Sequence, residues 1–141
     1  MPDRNIDTNS LRSAFRGAGY GLGIWSITMG VSTATMGVSR MATPGWQVAL
    51  TMPVVEPPFW GMALACCGVA ILVAIRLGAR GRTAMATASF VASFIMMARC
   101  VAGFLALSDP QASWLGPQMW LAFAVAFMGY GILHLKFMEK H

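Results

Sequence analysis

The chain has 141 residues, of which 57% are hydrophobic and 11% are charged, with a formal net charge of +5. An average soluble domain is about 25% charged, and a small soluble domain leaves much of its surface in water, so the composition excludes an ordinary soluble fold. The basic residues form no cluster with interleaved aromatic side chains, so we do not expect nucleic acid as a partner.

Long uncharged segments, separated by short charged ones, predict an all-α fold: an integral membrane four-helix bundle. Residues 1–16 are predicted to form a polar segment that ends at the membrane interface, and residues 17–141 one transmembrane domain. The predicted spans are residues 17–39, 58–77, 83–107 and 118–137, with outer loops at 40–57 and 108–117 and an inner loop at 78–82. The lipid bilayer is therefore the first expected partner.

Basic residues recur on alternate connections between these spans. They precede the first span, separate the second from the third, and follow the fourth: Arg4, Arg12, Arg16, Arg76, Arg80, Arg82, Lys136 and Lys140. Because Lys and Arg favour cytoplasmic loops, we expect a multi-pass protein of the cytoplasmic membrane with both termini in the cytoplasm. Tryptophans near the opposite boundary agree with this orientation, since the indole ring favours an interface.

The first predicted span carries a stripe of small side chains. Its members are Gly19, Gly23, Ser26, Gly30, Thr33 and Gly37. Steps of three and four residues place all six on one face of a helix, and small side chains in lipid allow helix backbones to approach closely. Two interpretations remain open: packing against the other spans of this chain, or a face that contacts other copies or lines a lumen.

Arg99 is a charged residue inside the third predicted span. It lies about 24 Å beyond Thr83, in the outer part of the hydrocarbon core. A charge at this depth is costly, and Glu56 and Asp109 are possible partners. Arg99 is thus either a snorkelling residue that holds an outer loop or a gating, anion-facing charge.

The sequence lacks the residue patterns that enzymes and cofactor sites require. Three cysteines, Cys66, Cys67 and Cys100, give neither a disulfide framework nor a zinc site. His134 has no second histidine within a span with which to ligate a haem. No Ser–His–Asp set and no Gly-rich phosphate loop are present. We therefore expect no catalytic residues, no metal, no cofactor and no enzyme activity.

Four local features resemble small four-span, holin-like membrane proteins of actinobacterial phages. These are the run Pro58-Phe59-Trp60-Gly61, the turn from Arg76 to Arg82, the loop Ser108-Asp109-Pro110 and the basic tail after Leu135. The resemblance implies a protein that self-associates and permeabilises or depolarises the cytoplasmic membrane. Two alternatives remain: a non-catalytic accessory subunit that packs on a larger membrane complex, and a small channel or transporter.

Overall fold

A computed structural model of the chain describes residues 8–35, 57–110 and 112–137. Within these ranges the chain forms four α-helices and two short 3-10 helices, and no strand. The α-helices are α1 (Thr8–Ala34), α2 (Pro57–Leu77), α3 (Arg82–Leu105) and α4 (Leu115–Phe137). The 3-10 helices are Gly78–Gly81 and Ala106–Ser108. The all-α prediction is confirmed for the described residues.

The helix bounds differ from the predicted spans mainly at their N-terminal ends. α1 begins at Thr8, so the second half of the predicted polar segment is already helical. α4 begins at Leu115, inside the predicted outer loop. The end of the predicted first span, at residues 36–39, and the predicted outer loop up to residue 56 lie outside the described residues.

The connection between α2 and α3 is a compact turn at Gly78. This residue has a φ of +60°, a left-handed conformation in which glycine carries no steric penalty and which commonly ends a helix. The turn continues as the 3-10 helix Gly78–Gly81, in which Gly81 is buried against the backbone of Ala74. A side chain at Gly81 would collide with that backbone, so the glycine allows α3 to fold back on α2.

The four helices pack in chain order as α1 on α2, α2 on α3, and α3 on α4. The side chains buried at their centre are apolar, and they include Leu64, Ile71, Ala92, Ile95, Met96, Ala124 and Phe127. Large apolar side chains also cover the outside of the molecule: Phe59, Val73, Phe94 and Leu115 are each more than half exposed. A soluble protein rarely exposes contiguous apolar surface on this scale.

Two helical stretches of the described residues are long and apolar enough to cross a membrane, Pro58–Ser108 and Leu115–Lys136. The first stretch contains both α2 and α3. The described part of α1 is less apolar than either stretch, because glycines and hydroxyl side chains recur along it.

Candidate functional site

The small-residue stripe of α1 faces α2 of the same chain. Gly30 lies against Gly61 and Ala65, and a Cβ built on Gly30 would be 2.5 Å from the backbone nitrogen of Ala65. Gly23 lies against Gly68 in the same way, because a Cβ built on Gly68 would be 2.6 Å from the carbonyl oxygen of Gly23. The two helices therefore meet backbone to backbone, which is the contact that small side chains permit in lipid.

The other members of the stripe that the structure describes also lie on this buried face. Gly19 is close to Ile75 and to the hydroxyl of Tyr130, and Ser26 and Thr33 are buried. Gly37 lies outside the described residues. Within one chain, α2 therefore covers this face of α1. Contact with other copies through the same face was one of the two interpretations of the sequence.

Arg99 is half-buried and lies over the indole ring of Trp120, with its guanidinium carbon 4.6 Å from the ring centroid. One turn further along α3, Gly103 packs against Pro117 in the first turn of α4. The face of α3 that carries Arg99 is therefore directed at α4. Of the two proposed partners, Asp109 is exposed just after the second 3-10 helix, and Glu56 lies outside the described residues.

Trp25 links α1 to α4 through an aromatic cluster, which we name the Trp25 cluster. The indole of Trp25 stacks on Phe123 with a centroid distance of 3.7 Å and an interplanar angle of 18°. Trp120 and Phe127 complete the cluster at 6.4 Å and 6.1 Å from Trp25. Through Trp120, the cation of Arg99 is thus connected to three helices, α1, α3 and α4.

Sequence reasoning did not identify the pairing of Arg99 with Trp120 or the role of Trp25. A partial signal existed, because Arg99 and Trp120 were both predicted near the outer boundary and therefore at similar depth. No such signal was available for Trp25, since helical periodicity gives the face on which a residue lies but not the helix that it meets.

The interior of the described bundle contains few polar groups. Ser93 donates a 2.8 Å hydrogen bond to the carbonyl of Ala124, and Tyr130 donates one of 3.3 Å to the carbonyl of Phe15. The hydroxyls of Ser26 and Ser89 are buried without a hydrogen-bond partner in the described part of the chain. The centre between the helices is closed by side chains such as Phe127, Ile71 and Met96, which are at most 1% exposed.

The described residues bring no group of three or more His, Cys, Asp or Glu side chains together that could hold a metal ion. The cysteines are free thiols, with Cys66 exposed and Cys67 and Cys100 buried. Comparison of the chain with protein-family models, curated proteins and solved structures finds no match.

Proposed function

We propose that this chain crosses the cytoplasmic membrane four times with both ends in the cytoplasm, self-associates, and permeabilises or depolarises that membrane. The observation that carries this proposal is the distribution of side chains on α1. Its small-residue stripe is used inside the chain, while a second, more polar face of the same helix is left exposed.

The outward apolar side chains support membrane insertion. Exposed valine, leucine, methionine and phenylalanine side chains occur along α2, α3 and α4. In water this surface would be unfavourable by about 25 cal/mol for each Å² of apolar area, whereas lipid tails solvate it. The lengths agree, because the 21 residues of α2, the shortest of the four α-helices described, span about 32 Å and a bilayer core is about 30 Å thick.

The turn at Gly78 supports two crossings within the first apolar stretch. Pro58–Ser108 has 51 residues, more than twice the length that one span needs. The compact turn carries Arg76, Arg80 and Arg82 at one end of the molecule, as expected for a cytoplasmic hairpin. Lys136, at the end of α4, lies at the same end because α4 runs antiparallel to α3.

The closed interior argues for a lesion between copies rather than a channel through one chain. A channel would need a continuous polar path, but the centre of the described bundle is filled by Ile71, Met96 and Phe127. The buried hydroxyls of Ser26 and Ser89 lie in separate helix pairs, since Ser26 contacts Gly68 of α2 and Ser89 contacts Gly131 of α4. These hydroxyls do not form such a path.

The exposed face of α1 supports self-association. Its small and hydroxyl residues are Gly17, Gly21, Thr28, Ser32 and Thr35, and Ile24 and Val31 lie beside them. A Cβ at Gly17 or Gly21 would meet nothing within 4 Å, so this surface is open. It is less well matched to lipid tails than the outer faces of α2 to α4, and close approach of a second α1 would remove it from lipid.

The test is overexpression with a potential-sensitive dye, combined with size analysis of the purified protein. The proposal predicts rapid depolarisation and a ladder of homo-oligomers for the wild-type chain. The double variant Thr28→Leu, Ser32→Leu fills the open face without touching the core, so we expect it to insert normally but to lose both properties. The matched control is Val69→Leu on the exposed face of α2, which should retain both.

Three outcomes would contradict the proposal. A full membrane potential with wild-type protein abundant in the membrane would exclude the lytic function. Undiminished depolarisation by the double variant would exclude the α1 face as the contact between copies. Purification in a stoichiometric complex with a different membrane protein would favour the accessory-subunit alternative.

A further inference from the structure

We propose that Arg82 and His134 form a phosphate-binding site between the N-terminus of α3 and the C-terminus of α4. Arg82 is the first residue of α3, and His134 lies in the last turn of α4. Both side chains are half-buried. The Nε of Arg82 is shielded from solvent and lacks a hydrogen-bond partner in the described part of the chain, whereas the His134 ring interacts with the backbone carbonyl of Tyr130.

The antiparallel packing of α3 and α4 brings these two residues to the same level. Ser93 bonds to Ala124, and Ser89 lies against Gly131 one turn nearer the inner end. Continuing this register places Arg82, at the start of α3, beside His134 in the last turn of α4. The ring of His134 is also held by Tyr130, with their centroids 4.6 Å apart.

A ligand with several acceptor oxygens would partner the shielded Nε of Arg82. A buried donor nitrogen without an acceptor is destabilising, and a guanidinium beside an imidazole attracts negative charge. Asp109, the acidic residue within the described ranges, is at the opposite end of α3. A phosphate group supplies tetrahedral acceptor oxygens and charge, and arginine binds it in a fixed, forked geometry.

The surroundings of the site fit the phosphate of a lipid headgroup as well as a free phosphate ion. Ile132 and Leu135 flank His134 on α4 with exposed apolar side chains that acyl chains could contact. Arg76 and Arg80 at the same end are exposed and strengthen the positive potential. The inner-leaflet location depends on the proposed topology, but phosphate binding does not.

The site can be tested on the full-length protein in neutral detergent by native mass spectrometry. Phosphatidylglycerol and phosphatidylcholine are added separately, and inorganic phosphate is added as a competitor. We expect retention of phosphatidylglycerol well above that of phosphatidylcholine. Arg82→Gln should weaken retention at least about tenfold, as expected for loss of a charge-assisted hydrogen bond, and His134→Ala should also weaken it. The matched control, Arg76→Gln, removes an exposed charge from the same end and should have a much smaller effect.

Arg82→Lys keeps the positive charge but lacks the forked guanidinium group, so it serves as a second variant. Helical content, measured by circular dichroism, checks the folding of the variants. Competition by inorganic phosphate identifies a free phosphate as an alternative occupant, whereas retention unaffected by it identifies the lipid headgroup. An equal loss of phosphatidylglycerol retention in Arg76→Gln and Arg82→Gln would overturn the site. A protein that neither prefers phosphatidylglycerol nor binds phosphate would also overturn it. These readouts do not depend on depolarisation, so failure of the site and failure of the proposed function are distinguishable.

Discussion

Gly30 of α1 and Gly61 of α2 face each other so closely that a Cβ on either would lie 2.5–2.6 Å from the carbonyl oxygen of the other. Because the neighbouring atoms belong to backbone, a methyl group can be accommodated only if the helices separate. At this contact the backbones of α1 and α2 approach each other closely.

Gly30→Ala should therefore destabilise the protein by about 1–3 kcal/mol, the usual cost of overpacking. The measurement is thermal unfolding in detergent, followed by circular dichroism. Gly21→Ala is the control, because a Cβ at Gly21 meets nothing within 4 Å and alanine favours a helix by about 1 kcal/mol. Equal stability changes in the two variants would show that α1 does not pack on α2 through this face.

Ser89 and Ser93 lie one turn apart on the same face of α3 but differ in hydrogen bonding. Ser93 is bonded to Ala124, whereas Ser89 is buried without a partner in the described structure. Ser93→Ala should lower the free energy of unfolding by about 0.6 kcal/mol, the average for hydrogen bonds between membrane helices, and by no more than about 1.7 kcal/mol, the largest value measured for them. Ser89→Ala removes an unpartnered polar group and should be neutral or stabilising. Denaturant titration in mixed micelles measures both, and the reverse order would contradict the packing of α3 on α4.

Trp25 and Ile24 are neighbours with opposite roles, because Trp25 stacks on Phe123 while Ile24 is 57% exposed. Trp25→Ala should cost at least about 1.5 kcal/mol, half the usual penalty for a fully buried tryptophan. Ile24→Ala should cost much less in the same unfolding assay. A larger loss from Ile24 than from Trp25 would mean that α1 is rotated about its axis relative to the described structure.

The contact between Arg99 and Trp120 can be measured by a double-mutant cycle. Arg99→Leu and Trp120→Leu, singly and together, should give a coupling energy of about 0.5–2 kcal/mol, as expected for a cation over an aromatic face. A cycle of Arg99 with Trp114, which instead lies at the edge of Phe104, should give a value near zero. A comparable coupling to both tryptophans would contradict the geometry. Depolarisation lost in Arg99→Leu without loss of stability would favour a gating role over a structural one.

The sequence was sufficient to predict the all-helical fold of the described residues and the face on which the small residues lie. The period of three and four residues placed Gly19, Gly23, Ser26 and Gly30 together, and they do share the buried face of α1. The partner of that face was not predictable, because Gly61, Ala65 and Gly68 form a shorter stripe with the same steps of four and three residues, and periodicity does not give the helix that a face meets. Only the structure shows that Gly30 and Gly61 meet.

The sites that depend on contacts between distant helices were also beyond sequence reasoning. The carboxylates Glu56 and Asp109 stay predicted partners of Arg99, because charge complementarity can be read from sequence. The indole of Trp120 carries no net charge, and its contact with Arg99 depends on the register of α3 against α4. The same register of the antiparallel helices α3 and α4 brings Arg82 near His134, although 51 residues lie between them in the sequence.

Cysteine labelling in intact cells tests most directly the inner and outer placement of the loops on which the proposed four crossings depend. In a variant whose three native cysteines are replaced by alanine, single cysteines are introduced as Ala79→Cys and Ser113→Cys, at opposite ends of the α2–α4 region. The account predicts that a membrane-impermeant maleimide labels Ser113→Cys in intact cells and Ala79→Cys only after permeabilisation. Labelling of Ala79→Cys from outside an intact cell would contradict it.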